Sequence, residues 1–121
     1  MTEVEFIEHR GARILRIEFP AEAGPDKMTA IMDEAGGIIT RQPPNSVLTL
    51  TIIGDFHFDT EVAKHFEEYV KRNKPHVKAG AVIGLHGLKK SIYNALMFLS
   101  HRQLKVCADI DEALDYLGSI A

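Results

Sequence analysis

The sequence predicts one α/β domain, in which helices pack on a mixed, mainly parallel β-sheet. Short apolar runs alternate with longer amphipathic segments, which is the pattern of parallel strands joined by crossover helices. The run from Ala79 to Leu85 is apolar, flanked by glycine and too short for a typical helix, which favours a strand covered on both faces. A chain of 121 residues that is 45% hydrophobic can fill one core. We therefore expect a single domain over residues 1–121, with the element order ββαβαβαβα.

The first two strands are predicted over Val4–His9 and Ala12–Phe19. Both runs alternate apolar and polar residues, and Arg10-Gly11 between them is suited to a tight turn. This pair should form an antiparallel hairpin at one edge of the sheet.

The first helix is predicted to begin with Asp26 as its cap and to end at Gly36-Gly37. A polar, proline-containing loop follows over residues 41–46, and the β-branched run Val47–Ile53 predicts a central strand. The residues expected on the apolar face of the helix are Met28, Ile31, Met32 and Ala35.

The second helix is predicted to begin after a capping Asp59 or Thr60 and to stop before Lys74-Pro75. The next strand is predicted over Val77–Leu85. The apolar stripe of this helix comprises Val62, Ala63, Phe66, Tyr69 and Val70.

A third helix should follow that strand, and a short strand, Leu104–Cys107, should precede a terminal helix. Asp109 with Glu112 three residues later resembles a capping box at the start of this last helix. The apolar stripe of the third helix comprises Leu88, Ile92, Ala95, Leu96 and Leu99.

Composition and charge limit the classes of function. A net charge of −3 gives no global attraction to nucleic acid or to an anionic membrane surface. The single cysteine, Cys107, cannot form an intramolecular disulfide and has no zinc-ligand spacing around it. No apolar run reaches the roughly 20 residues that span a bilayer, and the acidic start Met1–Glu5 lacks the layout of a signal peptide. We expect a cytoplasmic protein that is not membrane-spanning, with no nucleic-acid partner, no metal and no cofactor.

One stretch resembles the signature of the small free-standing STAS-like proteins, which are related to anti-sigma-factor antagonists and to the STAS domains of sulfate transporters. The stretch comprises Asn73–Leu85, then Gly87–Lys89 and Ile92–Ala95. The element order also resembles that family, over nearly the whole chain. The resemblance implies a four- or five-stranded sheet with helices, and a regulatory or binding role without enzymatic activity.

The same resemblance indicates a switch. Anti-sigma-factor antagonists are regulated by phosphorylation of a serine where the helix after the central strand begins, and the matching segment here is Gly54–Glu61. Thr60 is its only hydroxyl residue, and no Asp-Ser-Ser-Gly motif is present, so Asp59 or Thr60 as a simple cap remains the alternative. The predicted partner-binding or switch residues are Asp55, Phe56, Phe58, Asp59, Thr60 and Tyr93.

A second candidate site lies where the strand ending near Leu85 meets the next helix. Glycines, backbone N–H groups and two lysines at a helix start can bind a phosphate, sulfate or carboxylate. The spacing differs from that of a P-loop, so solvated lysines are the alternative. The predicted anion- or ligand-binding residues are Gly84, Gly87, Lys89, Lys90 and Ser91.

Histidine, cysteine and methionine residues are further candidates for catalytic, metal-binding or ligand-binding roles. His57 between Asp55 and Asp59 could form an acid–base pair or a metal site, although such residues in a loop that enters a helix more often form turns and caps. Cys107 is expected to be a buried apolar residue rather than a nucleophile. His65, His76 and His101 are expected at the surface, and the residues expected to line a ligand cavity are Met28, Met32 and Met97.

The leading interpretation is a non-enzymatic regulatory or protein-binding module. Its partner is another protein or a second copy of this chain, because Tyr93, Met97 and Phe98 broaden the apolar face of the third helix and a homodimer would cover it. The alternative is a carrier or sensor of a small anionic or lipid-like ligand.

Overall fold

The computed structural model describes residues 3–20, 24–54, 60–84 and 104–120. These residues form a five-stranded sheet in the order β1-β2-β3-β4-β5, in which β1 and β2 are antiparallel and the other neighbours are parallel. The α/β class and the mixed sheet are confirmed, and the predicted helix between β4 and β5 lies outside the described residues. The elements are β1 Val4–His9, β2 Ala12–Phe19, α1 Pro25–Ile39, β3 Val47–Ile53, α2 Thr60–Asn73, β4 Val77–Ile83, β5 Leu104–Cys107 and α3 Ile110–Ile120.

The hairpin between β1 and β2 is confirmed. Arg10 and Gly11 both have positive φ, 51° and 82°, which is the backbone of a two-residue turn that matches the twist of the flanking strands. The pairing runs without a break from Val4 opposite Ile17 to His9 opposite Ala12.

The bounds of α1 correct the sequence analysis at both ends. The helix begins at Pro25 after Gly24 as its cap, because proline has no N–H to lose in the first turn and its φ already suits a helix; Asp26 lies inside that turn and is not the cap. The two glycines do not end the helix, which continues to Ile39, where the N–H and the hydroxyl of Thr40 both donate to the Gly36 carbonyl. Gly36 is instead buried against α2.

The cap of α3 is confirmed. The N–H of Glu112 donates to Asp109 Oδ1 at 2.9 Å, and Glu112 Oε2 accepts from the N–H of Ala108 at 3.0 Å. The carboxylate reaches one residue further back than in a standard capping box, but the reciprocal arrangement is the same.

The sheet is covered on both faces. Alternation along β2 places Leu15, Ile17 and Phe19 on the face covered by α1 and α2, and Ala12 and Ile14 on the opposite face. The second core includes the buried residues Leu48, Leu50, Ala79, Ala81, Ala113 and Leu117.

Strand β4 ends earlier than predicted, at Ile83 instead of Leu85. Gly84 follows with a φ of 88°, which takes the backbone out of the strand conformation. Near its start, β4 also carries one extra residue, since Val77 pairs with Val47 and Ala79 pairs with Leu48. Within the described residues, no helix is long and apolar enough to cross a membrane.

Candidate functional site

Helix α2 is anchored to α1 on one side. His65 Nε2 lies 2.9 Å from Asp33 Oδ1 of α1. At Gly36 of α1, the absence of a side chain allows the Tyr69 ring of α2 to lie close, and a β-carbon placed on Gly36 would be 3.5 Å from that ring. These contacts support α2 from the side of α1, over strands β3 and β4.

A pocket of about 70 Å³ lies between α2 and the sheet. Its floor includes Thr49 and Thr51 of β3 and Val82 of β4, and the helix side includes Phe66 and Tyr69. Most of its wall is apolar. Threonine is smaller than the isoleucine and leucine elsewhere in the core, so these two strand positions leave space beneath the helix.

The aromatic wall of the pocket is fixed by packing. Phe66 is 2% exposed and meets Phe19 edge to face, with ring centroids 6.4 Å apart. Tyr69 packs on Phe66 with centroids 5.8 Å apart. Interlocked rings of this kind hold their positions, so the pocket is largely preformed.

Asn73, in the last turn of α2, brings a buried polar group to the pocket. It is 5% exposed, and its Oδ1 has no hydrogen-bond partner among the described residues. This oxygen lies at the α1 end of the side chain, 3.7 Å from the point where a β-carbon on Gly36 would be. The oxygen has almost no accessible surface and lies toward Gly36 of α1, which is not part of the pocket wall, so it does not face the open space of the pocket.

The environment of the pocket disfavours charge. Burial raises the pKa of the Tyr69 hydroxyl well above its ordinary value of 10, because a phenolate would lose its hydration there. Lys74, which also lines the pocket, is an exposed residue and therefore belongs to its mouth. The buried end of the pocket consequently suits an uncharged group.

The structure places only part of the two predicted sites. Thr60 is exposed and is the first residue of α2, while Gly84 directly follows β4. A β-carbon built on Gly84 would overlap the carbonyl oxygen of Ile53, so the carboxyl ends of β3 and β4 are in backbone contact. The predicted site residues outside the described part of the chain are Asp55, Phe56, Phe58, Asp59, Gly87, Lys89, Lys90, Ser91 and Tyr93.

The prediction that Met28 and Met32 line a ligand cavity is wrong. Met28 and Met32 are fully buried in the core and do not line the pocket, because the apolar stripe of α1 packs directly on the sheet. Met97 lies outside the described residues. The large apolar side chains that are exposed in the described residues are Val106 of β5 and Ile110 of α3.

Cys107 is buried, as predicted. Burial raises the pKa of its thiol, and the carboxylate of Glu112 adds to that effect. A thiol with a raised pKa is a poor nucleophile at neutral pH.

The histidine predictions are only partly right. His65 and His76 are half-buried and hydrogen-bonded, His76 through its Nδ1 to the carbonyl of Gln42 at 2.8 Å. His57 and His101 lie outside the described residues, and the described part of the chain contains no cluster of histidine, cysteine and carboxylate side chains suited to a metal ion.

The pocket beneath α2 was missed by the sequence analysis, although two signals for it were present. Thr49 and Thr51 occupy alternate positions of a strand that was predicted to be central. Asn73 lies four residues after Tyr69, so an amide continues the apolar stripe of the predicted helix.

The chain matches no family model, no curated protein and no solved structure. The resemblance to STAS-like proteins therefore stays a prediction from the sequence.

Proposed function

We propose that this protein is a non-enzymatic binding domain that carries or senses a small, mostly apolar ligand in the pocket beneath α2. The observation that supports this most directly is a mostly apolar pocket whose wall includes the polar residues Thr49, Thr51 and Asn73. Binding sites for small molecules typically have this composition, with apolar walls and a few polar groups that orient the ligand.

The volume of the pocket limits the ligand. An engineered cavity of about 150 Å³ holds one benzene molecule, and drug-sized ligands occupy roughly 300–1,000 Å³. At about 70 Å³, the pocket accommodates the end of a short aliphatic chain or part of one ring. Any larger portion of the ligand must extend through the mouth, where exposed Lys74 can contact it.

The test is native mass spectrometry of the protein purified gently from its own host, with Thr51→Phe as the blocking variant. The matched control is Ile52→Phe, which adds an aromatic ring at the next position of β3 but on the face covered by α3. A retained small molecule on the wild type and on Ile52→Phe, reduced at least tenfold on Thr51→Phe, is the expected result. Equal retention by both variants would place the ligand elsewhere and contradict the proposal.

A second candidate function, the regulatory protein-binding module, is supported by the contact between the ends of β3 and β4. Because Gly84 touches Ile53, the carboxyl ends of β3 and β4 lie side by side. Ligands and partners of open α/β sheets commonly bind outside the carboxyl ends of the strands. The resemblance to STAS-like proteins supports the same edge as a partner surface, with exposed Thr60 at the helix start as the switch.

This second candidate is tested by quantitative capture of partners on immobilised protein, followed by affinity measurement with the purified partner. Thr60→Glu adds negative charge at the start of α2, and Ser119→Glu adds the same charge at an exposed position of α3. We expect Thr60→Glu to weaken binding at least tenfold and Ser119→Glu to leave it unchanged. A partner that binds both variants with wild-type affinity would exclude the switch.

A further inference from the structure

We propose that the ligand of the pocket is a short aliphatic monocarboxylate, with its chain beneath α2 and its carboxylate at Lys74. This inference rests on the proposed carrier function and specifies the chemistry of its ligand. It depends on the apolar wall of the pocket, on the positive charge at its mouth and on the basic segment of chain around that charge.

The pocket extends along strand β4. Its lining residues Val77, Gly80 and Val82 all belong to this strand. Gly80 pairs with Thr49 of β3 and with Leu104 of β5, and these two neighbours also line the pocket. Because glycine has no side chain, the floor is lowest in this row of the sheet. The space above the row therefore suits an aliphatic chain.

Lys74 lies at the amino end of this pocket. It follows α2 and precedes β4, and its N–H donates to the carbonyl of Val70 at 3.1 Å. Among the described residues that line the pocket, Lys74 is the only one with a charged side chain, and it is exposed. Tyr69 keeps its proton at neutral pH because burial raises the pKa of its hydroxyl. A head group at the mouth therefore meets a positive charge and no carboxylate from the described wall.

The chain around Lys74 is locally basic, although the protein has a net charge of −3. Lys71, Arg72, Lys74 and Lys78 are all exposed, and no aspartate or glutamate occurs between residues 71 and 78. Lys71 Nζ lies 3.6 Å from Glu67 Oε1 of the preceding turn. Cations at the end of a helix also stabilise its dipole, so the basic segment alone does not define a site. Its position at the mouth of an apolar pocket is what favours an anionic head group.

A carboxylate at the mouth keeps its hydration, whereas one buried between Phe66 and Val82 would lose it. The chain supplies most of the affinity, because each buried methylene group tightens binding about fourfold. An exposed charge pair with Lys74 adds roughly two- to fivefold. The chain therefore determines whether a ligand binds, and the charge determines which head group is preferred.

The experiment is an NMR titration of the isotope-labelled full chain, at neutral pH and low salt, with three probes of equal chain length. Pentanoate is negatively charged, 1-pentanol is neutral and pentan-1-amine is positively charged. We expect saturable shifts at the amides of Phe66, Tyr69 and Val82 with pentanoate. Binding of 1-pentanol should be roughly two- to fivefold weaker, and binding of the amine weaker still. High salt should reduce these differences, because exposed charges are screened.

The role of Lys74 is tested by Lys74→Gln, which removes the charge and keeps a polar side chain. Arg72→Gln is the matched control, since Arg72 is an exposed cation of α2 that does not line the pocket. The preference for pentanoate over 1-pentanol should disappear in Lys74→Gln and persist in Arg72→Gln, with the affinity for 1-pentanol unchanged in both. The comparison of the three probes on the wild type requires no variant, so it tests the charge preference by itself.

The outcomes separate this inference from the function on which it rests. If none of the probes causes saturable shifts at the residues of the pocket, the proposed carrier function fails. If the three probes bind with equal affinity, or if the amine binds most tightly, the pocket is a binding site but its ligand is not a carboxylate. If the preference for pentanoate survives in Lys74→Gln, the assignment of the carboxylate to Lys74 is overturned.

Discussion

Gly84 and Ile53 lie so close at the ends of β4 and β3 that no side chain fits between them. A β-carbon on Gly84 would overlap the Ile53 carbonyl oxygen, and the φ of 88° at Gly84 is one that residues with side chains rarely adopt. Both features require glycine at this position. The backbone contact fixes where the chain leaves the sheet on each of the two neighbouring strands.

Gly84→Ala should lower the free energy of unfolding by at least about 2 kcal/mol, because it adds both backbone strain and a backbone overlap. Chemical denaturation followed by circular dichroism measures this. Gly36→Ala is the contrasting variant, since the new methyl would meet Tyr69 at an ordinary contact distance of 3.5 Å within a helix. We expect Gly36→Ala to raise stability by about 0.5–1 kcal/mol. An unchanged stability for Gly84→Ala would contradict the close approach described at Ile53.

The burial of Tyr69 predicts a loss of stability at alkaline pH. The pKa of its hydroxyl is raised above 10 in the folded protein, so above pH 10 the unfolded chain releases a proton that the folded chain keeps. The free energy of unfolding then falls by about 1.4 kcal/mol for each pH unit above 10. Stability from this source is fully present below pH 10 and is lost as the pH rises towards the raised pKa.

Tyr69→Phe should therefore flatten the fall in unfolding free energy between pH 9 and 11 relative to the wild type. The thiol of Cys107 has a raised pKa in both proteins, so its contribution cancels in the comparison. Tyr116→Phe, at a half-buried ring of α3, serves as the control. A wild-type pH profile in Tyr69→Phe would show that the hydroxyl is not buried as described.

The hydrogen bond from Glu112 N–H to Asp109 at the start of α3 predicts that removing the Asp109 side chain lowers stability by a modest amount. Asp109→Ala removes the acceptor for the N–H of Glu112 and should cost about 1 kcal/mol of stability. Asp109→Asn keeps an acceptor of the same size and should remain within a few tenths of a kcal/mol of the wild type. Urea denaturation of the three proteins at one pH measures the difference, and an equal loss in both variants would attribute the effect to charge instead of capping.

Much of the fold follows from sequence patterns because strand and helix periodicities are local. The bounds of β1, β2, β3 and β5 agree with the prediction, and the turn at Arg10-Gly11 has the backbone that its residues suggest. Both ends of α1 differ from the prediction. The helix begins earlier because Pro25 directly after Gly24 suits the first helical position. It ends later because the burial of Gly36 against α2 outweighs the low helix propensity of glycine.

The candidate site could not be predicted in the same way. The pocket depends on how α2 lies over the sheet, and α2 contacts α1 at Asp33 and Gly36, which are distant in sequence. The sequence indicated which face of each element is apolar, but it did not indicate that Thr49, Thr51 and Asn73 would meet around one space. The switch at Thr60 and the anion site beginning at Gly84 remain predictions.

Ligand binding in the pocket beneath α2 is measured by an isotope-filtered NOE experiment on the labelled protein with unlabelled 1-pentanol. We expect intermolecular NOEs from the aliphatic protons of the alcohol to Phe66, Tyr69 and Val82, and their loss in Thr51→Phe but not in Ile52→Phe. Intramolecular NOEs from these three residues to side chains of residues 85–103, with no NOEs to the alcohol, would show that the chain fills the space itself and would contradict ligand binding in this pocket.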